Sequence, residues 1–531
     1  MISSPRLAKL ALLAVLVAAA LFIAPEVHAQ AEFKKKEIEA AIRQHEGPIE
    51  PRTPTRAVES GPALTIDSLV GSPRHKRFVY PEQGSAYHRQ LPTLIKRASD
   101  DDPQKPDYLF HLGDLHADRR RYLNYEARGL DQKIIEAQRV GNTEQVGKLN
   151  LKKQPLEEAS ADMAGKALEL YIEASQFPDY RRRDEVLFRL GYLLHGTNKD
   201  TQAREVFDRL IADYPQSKYV PYAYLSLADR HFQNGEMASA RKYYEKVTTF
   251  ADSSVFGFAL YKMGWVEIKL GHFETAIEIF TRVIRHCQDG KIDGKIPKNR
   301  AGPIGTQAKK GLVEAYARTR GASPEKAWAF FQRIGGDYAP KMLEFLADIS
   351  WEEGLAPKSL ALYRKLVALD GDSQRACSWQ SRILRNSLLV GSRREQVVEL
   401  QRLGRFYEAA STRKEIPENT LAECRNVLHD TGKALALTFH REGKRSKDPD
   451  SYRLAGMVHK EFLSHFKSRR DSSEIAFNYG ELLWQMGSWQ EAAWTFSKVA
   501  RLDPEGRYGR GAAILAGPAW KKALNIDDQE R

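Results

Sequence analysis

The sequence is poor in cysteine. Its 531 residues include three, Cys287, Cys377 and Cys424, and no two of them form a CxxC pair. So few cysteines exclude a disulfide framework, and the missing CxxC spacing removes the usual ligands of a structural zinc site. Because three is an odd number, at least one cysteine must stay reduced or pair with another chain.

Signatures of catalysis are also missing. The chain has no G-x-S-x-G, H-E-x-x-H or Walker A motif. The segment Gly290–Lys295 resembles a phosphate loop, but its glycine spacing is one residue short. Gly509-Arg-Gly511 lacks the third glycine and the preceding strand of a dinucleotide fingerprint. His286 beside Cys287 fits the end of a helix next to a loop better than a metal site. We therefore predict no catalytic residue, no cofactor and no metal, and we do not expect an enzyme.

No apolar run is long enough to span a bilayer comfortably. The run Leu10–Ile23 has 14 residues, fewer than the ~20 that a membrane helix needs. Two cations precede the run, and Val27-His28-Ala29 fits the small-x-small rule of a cleavage site. This pattern predicts a signal peptide over residues 1–29 and export to the periplasm, with Gln30 as the new N-terminus. An uncleaved anchor is the alternative, and a lipid anchor is not expected because no cysteine follows the cleavage site.

Positive charge is in excess. The formal net charge is +13, which favours acidic partners such as nucleic acid, anionic lipid or an acidic protein surface. Export would remove nucleic acid from this group, so acidic proteins and an anionic cell-wall or membrane surface remain. A solvated basic surface without a dedicated partner explains the same excess.

What the sequence does contain is an internal repeat. Three segments, beginning at Asp184, Tyr222 and Phe258, align without gaps in their helical parts. Each has a small residue in a first helix, an alanine 12 residues later and an aromatic residue 16 residues later. The three sets are Gly191, Ala203 and Phe207; Ala228, Ala240 and Tyr244; and Gly264, Ala276 and Phe280. A fourth copy with the same offsets is Gly480, Ala492 and Phe496, and a proline follows the first and fourth copies as Pro215 and Pro504.

The residue types of this repeat have a physical explanation. The small residue of the first helix lets two antiparallel helices approach closely, and the aromatic ring fills the space between helix layers. The proline ends the second helix, because it lacks an N–H and clashes with the preceding turn. A period of 36–37 residues with these residue types is typical of tetratricopeptide (TPR) repeats. We therefore predict an all-α TPR solenoid, a right-handed superhelix of about eight or nine helical hairpins.

One copy of the repeat is interrupted. Gly113 fits a first helix and Ala167 with Tyr171 fits its second, but Gly113 and Ala167 are 54 residues apart where 12 is usual. The extra residues (54 − 12 = 42) lie near 120–160 and are rich in Arg, Glu, Gln and Lys. We expect them to extend both helices into a protruding hairpin.

The rest of the chain divides by composition. Residues 30–86 are charged and then proline-rich, which predicts a flexible, disordered arm. Residues 286–306 carry Gly, Pro and Lys and predict a loop insert. The other expected regions are the N-terminal TPR array at 87–285, further TPR-like repeats at 307–370, degenerate helical repeats at 371–470, and a C-terminal TPR with a capping helix at 471–531.

Two stretches carry a family resemblance. The segment PQKPDYLFHLGDLHADRRRYL at 103–123, followed by repeats that end in YPQSKYVPYAY at 214–224, resembles the adventurous-gliding-motility TPR proteins of gliding bacteria. The resemblance covers about 87–285 and 473–504, and it implies a periplasmic or outer-membrane-associated subunit of the motility machinery. Similar motifs occur in TPR proteins of the Tol–Pal system and of outer-membrane assembly.

A binding groove is predicted on the first helices, beside their packing face. Offsets of −3, +1 and +4 from the small residue place aromatic and polar side chains there. Exposed aromatic rings offer a large contact area at low entropy cost. If the superhelix curls tightly, or if another segment covers the groove, the same side chains are core. The predicted partner-binding residues are Phe188, Tyr192, His195, Asp229, Phe232, Tyr261, Trp265, Phe477 and Trp484.

Together these patterns predict a periplasmic protein–protein interaction scaffold of a cell-envelope assembly, and the resemblance implies gliding motility. The expected partners are other envelope proteins or their extended or helical segments. A glycan- or peptidoglycan-binding envelope protein is the alternative of another class. A TPR partner of Tol–Pal or of outer-membrane assembly is a further alternative.

Overall fold

The protein is all-α wherever the structure describes it. In the computed structural model, no residue of the described ranges lies in a β-strand. The predicted all-α fold is therefore confirmed for those ranges. The predicted signal peptide and the proline-rich arm, up to residue 85, lie outside them. The described residues are 86–288, 298–319, 323–466 and 472–525.

The chain forms two compact units, one within residues 56–320 and the other within 321–531. In the first unit each helix packs on the next helix along the chain, as in a solenoid of helical hairpins. Its helices are α1 (Ala86–Arg97), α2 (Lys105–Arg139), α3 (Thr143–Ser175), α4 (Arg183–His195), α5 (Asp200–Asp213), α6 (Val220–Gln233), α7 (Met237–Val247), α8 (Phe256–Leu270), α9 (Phe273–Gln288) and α10 (Lys298–Arg318).

The second unit is also built from helices that pack on their neighbours in sequence. A short 3-10 turn, Gly336–Tyr338, joins its first two helices. Its helices are α11 (Pro324–Gly335), α12 (Ala339–Glu352), α13 (Ala356–Leu369), α14 (Ala376–Val390), α15 (Arg393–Ser411), α16 (Glu418–Ser446), α17 (Pro449–His465), α18 (Ser472–Gln485), α19 (Trp489–Leu502) and α20 (Arg507–Ala523).

Prolines determine where two of the second helices end. Helix α5 ends two residues before Pro215, and the intervening Tyr214 has φ −131° and ψ 56°. Helix α19 ends two residues before Pro504, and Asp503 has similar angles of −142° and 59°. A proline disfavours the helical conformation of the residue before it, and so both helices stop at the same place in the repeat.

The glycine and aromatic positions of the repeat meet in space. A Cβ atom built on the glycine of the first helix would fall 2.6–2.7 Å from the aromatic ring, well inside van der Waals contact. The ring therefore occupies the room that any side chain at the glycine would need. The pairs are Gly191 with Phe207, Gly264 with Phe280 and Gly480 with Phe496. The alanine positions of the repeat and the ring of Tyr244 are fully buried, whereas Pro215 and Pro504 are exposed. The buried alanines are Ala203, Ala228, Ala240, Ala276 and Ala492.

The interrupted copy forms a long helical hairpin. Helices α2 and α3 have 35 and 33 residues and are joined by residues 140–142. Beyond about residue 120, the side chains that face the other helix recur at alternating steps of three and four, which is the heptad spacing of a coiled coil. These buried or half-buried side chains are Leu123, Ala127, Leu130, Ile134 and Ala137 on α2, and Val146, Leu149, Lys153, Leu156 and Ser160 on α3. We call residues 120–160 the coiled-coil arm.

Polar contacts fix the arm along its length and at its base. The Lys153 Nζ atom on α3 lies 2.9 Å from the Asp131 Oδ1 atom on α2, across the hairpin. At the base, the Arg120 guanidinium donates a hydrogen bond of 2.5 Å to the backbone carbonyl of Gly196, just after α4. The arm is thus attached to the second repeat as well as to its own.

The loop predicted over residues 286–306 is wrong at both ends. Helix α9 continues to Gln288, and α10 begins at Lys298. Gly305 lies inside α10, and a Cβ atom there would be 3.4 Å from the side chain of Cys287. This glycine therefore lies in a helix, in contact with Cys287 of α9, rather than in a turn. Residues 289–297 lie outside the described ranges.

Residues 371–470 depart from the regular repeat length. Helix α16 alone has 29 residues. The core of this region includes Leu400, Leu428 and Phe462. Cys377 in α14 and Cys424 in α16 form a disulfide within it. The region therefore contains a covalent link that the cysteine count did not predict.

Candidate partner-binding surface

On α4 and α8 the −3 position of the first helix is part of the core. Phe188 in α4 is 1% exposed, and its ring centroid lies 5.3 Å from that of Tyr219 and 5.7 Å from that of Tyr222, at the start of α6. Tyr261 in α8 is fully buried. The expectation that these side chains line an open groove is therefore wrong. At Phe188 the reason is that the first helix of the next repeat covers this face.

Two predicted groove residues at the +1 position, Asp229 and Trp265, are also buried, which corrects their expected exposure. Asp229 accepts a hydrogen bond from the Tyr244 hydroxyl and lies 3.6 Å from the Lys262 Nζ atom. Burial raises the pKa of this carboxyl above its usual range, and Lys262 opposes the shift. Trp265 packs edge-on against Phe280 with ring centroids 5.9 Å apart, so it helps to close the core of its repeat.

The other five predicted groove residues are partly exposed. His195 is enclosed by its neighbours, with Nδ1 2.9 Å from the Ser226 hydroxyl, and burial lowers its pKa to about 4. Near the C-terminus, the ring of Phe477 packs against Tyr508 of α20. The ring of Trp484 contacts Trp489, with ring centroids 5.0 Å apart. A partner-binding role for these five stays a prediction. They are Tyr192, His195, Phe232, Phe477 and Trp484.

The exposed face of the first helices includes the −2 position, which is next to the −3 position in sequence and about 100° away around the helix. Its positions are −6, −2, +1 and +5 from the small residue, at steps of four, three and four, so they form one line along a helix. On α6 and α8 two of the four positions are buried, and the line narrows there. We call this line the open stripe. In the first unit its residues are Asp107, His111, Asp114 and Asp118 on α2, and Glu185, Arg189 and Tyr192 on α4 with Gly196 just after it. In the second unit they are Lys341, Phe345, Asp348 and Glu352 on α12, counted from Ala347, and Glu474, Asn478, Glu481 and Gln485 on α18.

A hydrogen-bond rule that the sequence reasoning missed links the +1 position to the aromatic position of the same repeat. Where the buried ring is a tyrosine, the +1 residue is an aspartate whose carboxylate accepts a hydrogen bond from the tyrosine hydroxyl. Where the ring is a phenylalanine, the +1 residue is Tyr192, Trp265 or Glu481. A buried phenol needs an acceptor, whereas a phenyl ring does not. The three pairs are Tyr171 with Asp114 at 2.6 Å, Tyr363 with Asp348 at 2.5 Å, and Tyr244 with Asp229.

Cations from the next repeat face two of these aspartates. Arg189 Nε lies 3.9 Å from Asp114, in the same way that Lys262 lies near Asp229. Lys262 also lies over the ring of Phe232, with Nζ 4.5 Å from the ring centroid. On α2 and α4 the open stripe therefore places the Arg189 cation between the carboxylates of Asp114 and Glu185, next to the ring of Tyr192. Such a surface can recognise a polar chain by hydrogen bonds and ring contacts.

Within the described ranges, no group of His, Cys, Asp and Glu is placed to hold a metal ion. None of the described helices combines the length and the apolar character that crossing a bilayer requires.

Comparison with known proteins identifies the repeat. A family model of the tetratricopeptide repeat matches residues 185–217 and 258–288, and a second tetratricopeptide model matches residues 202–254. The chain matches no curated protein. It matches 137 chains of solved structures. One of them, titled "Structure of Naa15/Naa10 bound to HypK-THB", is 13% identical with a TM-score of 0.29, over 76% of this chain and 69% of that chain.

The matched segments together run from residue 185 to residue 288, over α4 to α9. These helices are TPR repeats, as predicted from their period. TPR repeats mediate protein–protein interaction and form scaffolds that are typically non-catalytic.

Proposed function

We propose that this protein is a protein–protein interaction scaffold of the cell envelope, and that the open stripe holds a segment of its partner. The observation that carries this proposal is the stripe on α4. Glu185, Arg189 and Tyr192 lie in line there on a half-exposed face, beside a core that Phe188 closes. The side chains of this line are ordered by their neighbours before any partner arrives, which reduces the entropy lost on binding.

The geometry at Arg189 supports an ordered surface. Its guanidinium lies 3.9 Å from Asp114 and 3.6 Å from Glu185, so one cation links two successive repeats. A partner segment that is extended or helical would run across several repeats and meet one such cluster in each. Contacts of this kind favour a polar segment with both donors and acceptors.

Two features support a periplasmic location. The N-terminal sequence has the order of a signal peptide, a basic start followed by an apolar run and a small-x-small site. The disulfide between Cys377 and Cys424 suits an oxidising compartment. Since the sequence resembles gliding-motility TPR proteins, the motility machinery is the first envelope assembly in which to look for partners.

The test is capture of envelope proteins by an Arg189→Ala plus Tyr192→Ala variant. We expect partner capture to weaken by about 2–4 kcal/mol, as truncation of binding hot spots does. Because Arg189 also pairs with Asp114 and Glu185, the variant should lose some stability, and capture is compared at a temperature where circular dichroism shows both proteins folded. A variant containing Trp265→Ala would not separate binding from folding, since that ring is buried.

The matched control carries Arg209→Ala and Lys242→Ala, two exposed positions on the second helices α5 and α7. This variant should capture partners as the original chain does. Equal capture by all three proteins would overturn the role of the stripe. Cell fractionation tests the location separately, and recovery of the chain outside the periplasm would overturn that part of the proposal.

A further inference from the structure

The coiled-coil arm has a second heptad line on the outer side of each helix, opposite the buried one. On α2 and on α3 this outer line follows the same alternating steps of three and four residues. Its side chains are exposed, apart from one that is half-exposed at the base of α2. We call the outer line of α2 the basic seam and that of α3 the acidic seam. The basic seam consists of Arg121, Tyr125, Arg128, Gln132, Ile135 and Arg139. The acidic seam is Glu144, Lys148, Leu151, Pro155, Glu158 and Asp162 of α3.

Each seam has large apolar side chains exposed to solvent. Tyr125 is 70% exposed and Ile135 43% exposed on the basic seam, and Leu151 is 73% exposed on the acidic seam. A two-helix hairpin with only one heptad line would normally carry polar residues at these outer positions. Apolar side chains at heptad spacing favour another helix as the occupant, because a helix presents side chains at the same spacing.

The charges of the two seams are opposite. The basic seam has three arginines and no acidic residue, and the acidic seam has three carboxylates and one lysine. Because the two helices are antiparallel, residues of the two seams that are equally far from the turn at 140–142 lie at the same height along the arm. Arg139 then lies at the height of Glu144, and Arg121 at the height of Asp162. In between, the apolar side chains of one seam fall near those of the other.

We propose that the arms of two copies of this chain pack side by side, with the basic seam of one copy on the acidic seam of the next. The opposite choice, like seam on like seam, would place arginine against arginine on α2 and carboxylate against carboxylate on α3. Opposite seams therefore favour a head-to-tail contact over a two-fold symmetric one. A head-to-tail contact leaves one seam free at each end, so it extends into rings or open rows.

The contact is of modest size. The first and last positions of each seam are 18 residues apart in sequence, or about 27 Å of helix. The attraction between exposed charges is screened by salt, and so self-association should be weak, dependent on concentration and reduced at high ionic strength. This inference concerns the arm alone and does not depend on the open stripe or on the proposed partner.

Charge reversal tests the pairing. One variant carries Arg128→Glu and Arg139→Glu on the basic seam, and a second carries Glu144→Arg and Glu158→Arg on the acidic seam. Mass measured by analytical ultracentrifugation over a range of concentrations should rise for the original chain. For each variant alone we expect self-association at least tenfold weaker. An equimolar mixture of the two should associate again, since each variant then meets a seam of opposite charge.

The control variant reverses Lys133 and Lys152, two exposed lysines of the arm that lie off both seams. It should associate as the original chain does. All proteins are compared with and without residues 1–29, and circular dichroism must show the same helix content. An original chain that stays monomeric up to its solubility limit would overturn the proposal. So would variants that associate normally, or a mixture that stays monomeric.

Discussion

The regular repeats of the first unit and the longer helices of residues 376–465 fill their cores differently. In the repeats, a glycine of the first helix meets an aromatic ring of the second, and where that ring is a tyrosine an aspartate of the same hairpin accepts a hydrogen bond from it. In the longer helices, buried polar side chains and a disulfide lie among the apolar ones. Where the repeat length is lost, buried polar pairs and a disulfide help to hold the helices together, in addition to apolar packing.

Glu399 illustrates the polar solution. Its carboxylate is buried, and it accepts hydrogen bonds of 2.8 Å from Gln380 and 2.7 Å from Arg364. A buried carboxylate is tolerated only when its charge is paired and its lone pairs are used. The three residues come from α15, α14 and α13, so one side chain ties three successive helices together. The regular repeats instead use their tyrosine–aspartate pairs within a single helical hairpin.

The largest expected effect is the loss of a repeat ring. Phe280 lies between two glycines, and Cβ atoms built on Gly264 and Gly311 would fall 2.7 and 2.5 Å from it. Phe280→Ala should therefore leave a cavity and lower the free energy of unfolding by about 3–5 kcal/mol. Chemical denaturation measures this. Trp494→Ala is the control, since that ring is 56% exposed, and should change stability by less than about 1 kcal/mol.

The next effect concerns the disulfide. Cys377 and Cys424 are 47 residues apart in sequence. Their bond reduces the conformational entropy of the unfolded chain, and so its removal should lower the free energy of unfolding by about 2–4 kcal/mol. Denaturation with and without reductant shows the difference. A Cys377→Ala plus Cys424→Ala variant should not respond to reductant, and a response of that variant equal to the original would contradict the assignment.

Acid should weaken the second unit through His459. This ring is fully buried, and burial lowers its pKa to about 4. The unfolded chain binds a proton near pH 6.5, while the folded chain binds it only near pH 4. The free energy of unfolding therefore falls as pH drops from about 6.5 to 4, by about 2–3 kcal/mol from this group. Urea unfolding of His459→Phe across this range should show a flatter pH dependence than the original, and identical slopes would refute the assignment.

The smallest effect separates two buried tyrosines. The Tyr244 hydroxyl donates to Asp229, whereas the Tyr261 hydroxyl has no hydrogen-bond partner of acceptable geometry, although Trp265 is close to it. Tyr244→Phe leaves a buried carboxylate without its donor and should lower the free energy of unfolding by about 1–2 kcal/mol. Tyr261→Phe should be neutral or slightly stabilising. Thermal melting of the two variants compares them directly, and equal losses would contradict the distinction.

Periodicity alone predicted the repeats because the small and aromatic positions depend on local packing. Gly191, Ala203 and Phe207 serve contacts within one helical hairpin, and their offsets are therefore visible in the sequence. The offsets also gave the ends of α5 and α19, where a proline acts on its own neighbour. Residues 286–306 were misjudged because a glycine that breaks a helix and a glycine that packs a helix look alike in one sequence.

The exposed face of the first helices was harder to predict. Offsets of −3 and −2 differ by about 100° around a helix, and only the position of the next repeat decides which of them is covered. Phe188 is buried because Tyr219 and Tyr222 cover it, and these residues come about 30 positions later. The tyrosine–aspartate pairs could have been found by reading the +1 and aromatic positions together across the copies.

The hairpin form of the arm has one more consequence. Both ends of a hairpin lie side by side, so the repeats that flank it need not move when its length changes. Adding or removing one heptad from each helix would shift the tip by about 10 Å and keep both outer seams in register. The length of the arm can therefore change in steps of one heptad, while the helices at its base keep the packing of an ordinary repeat.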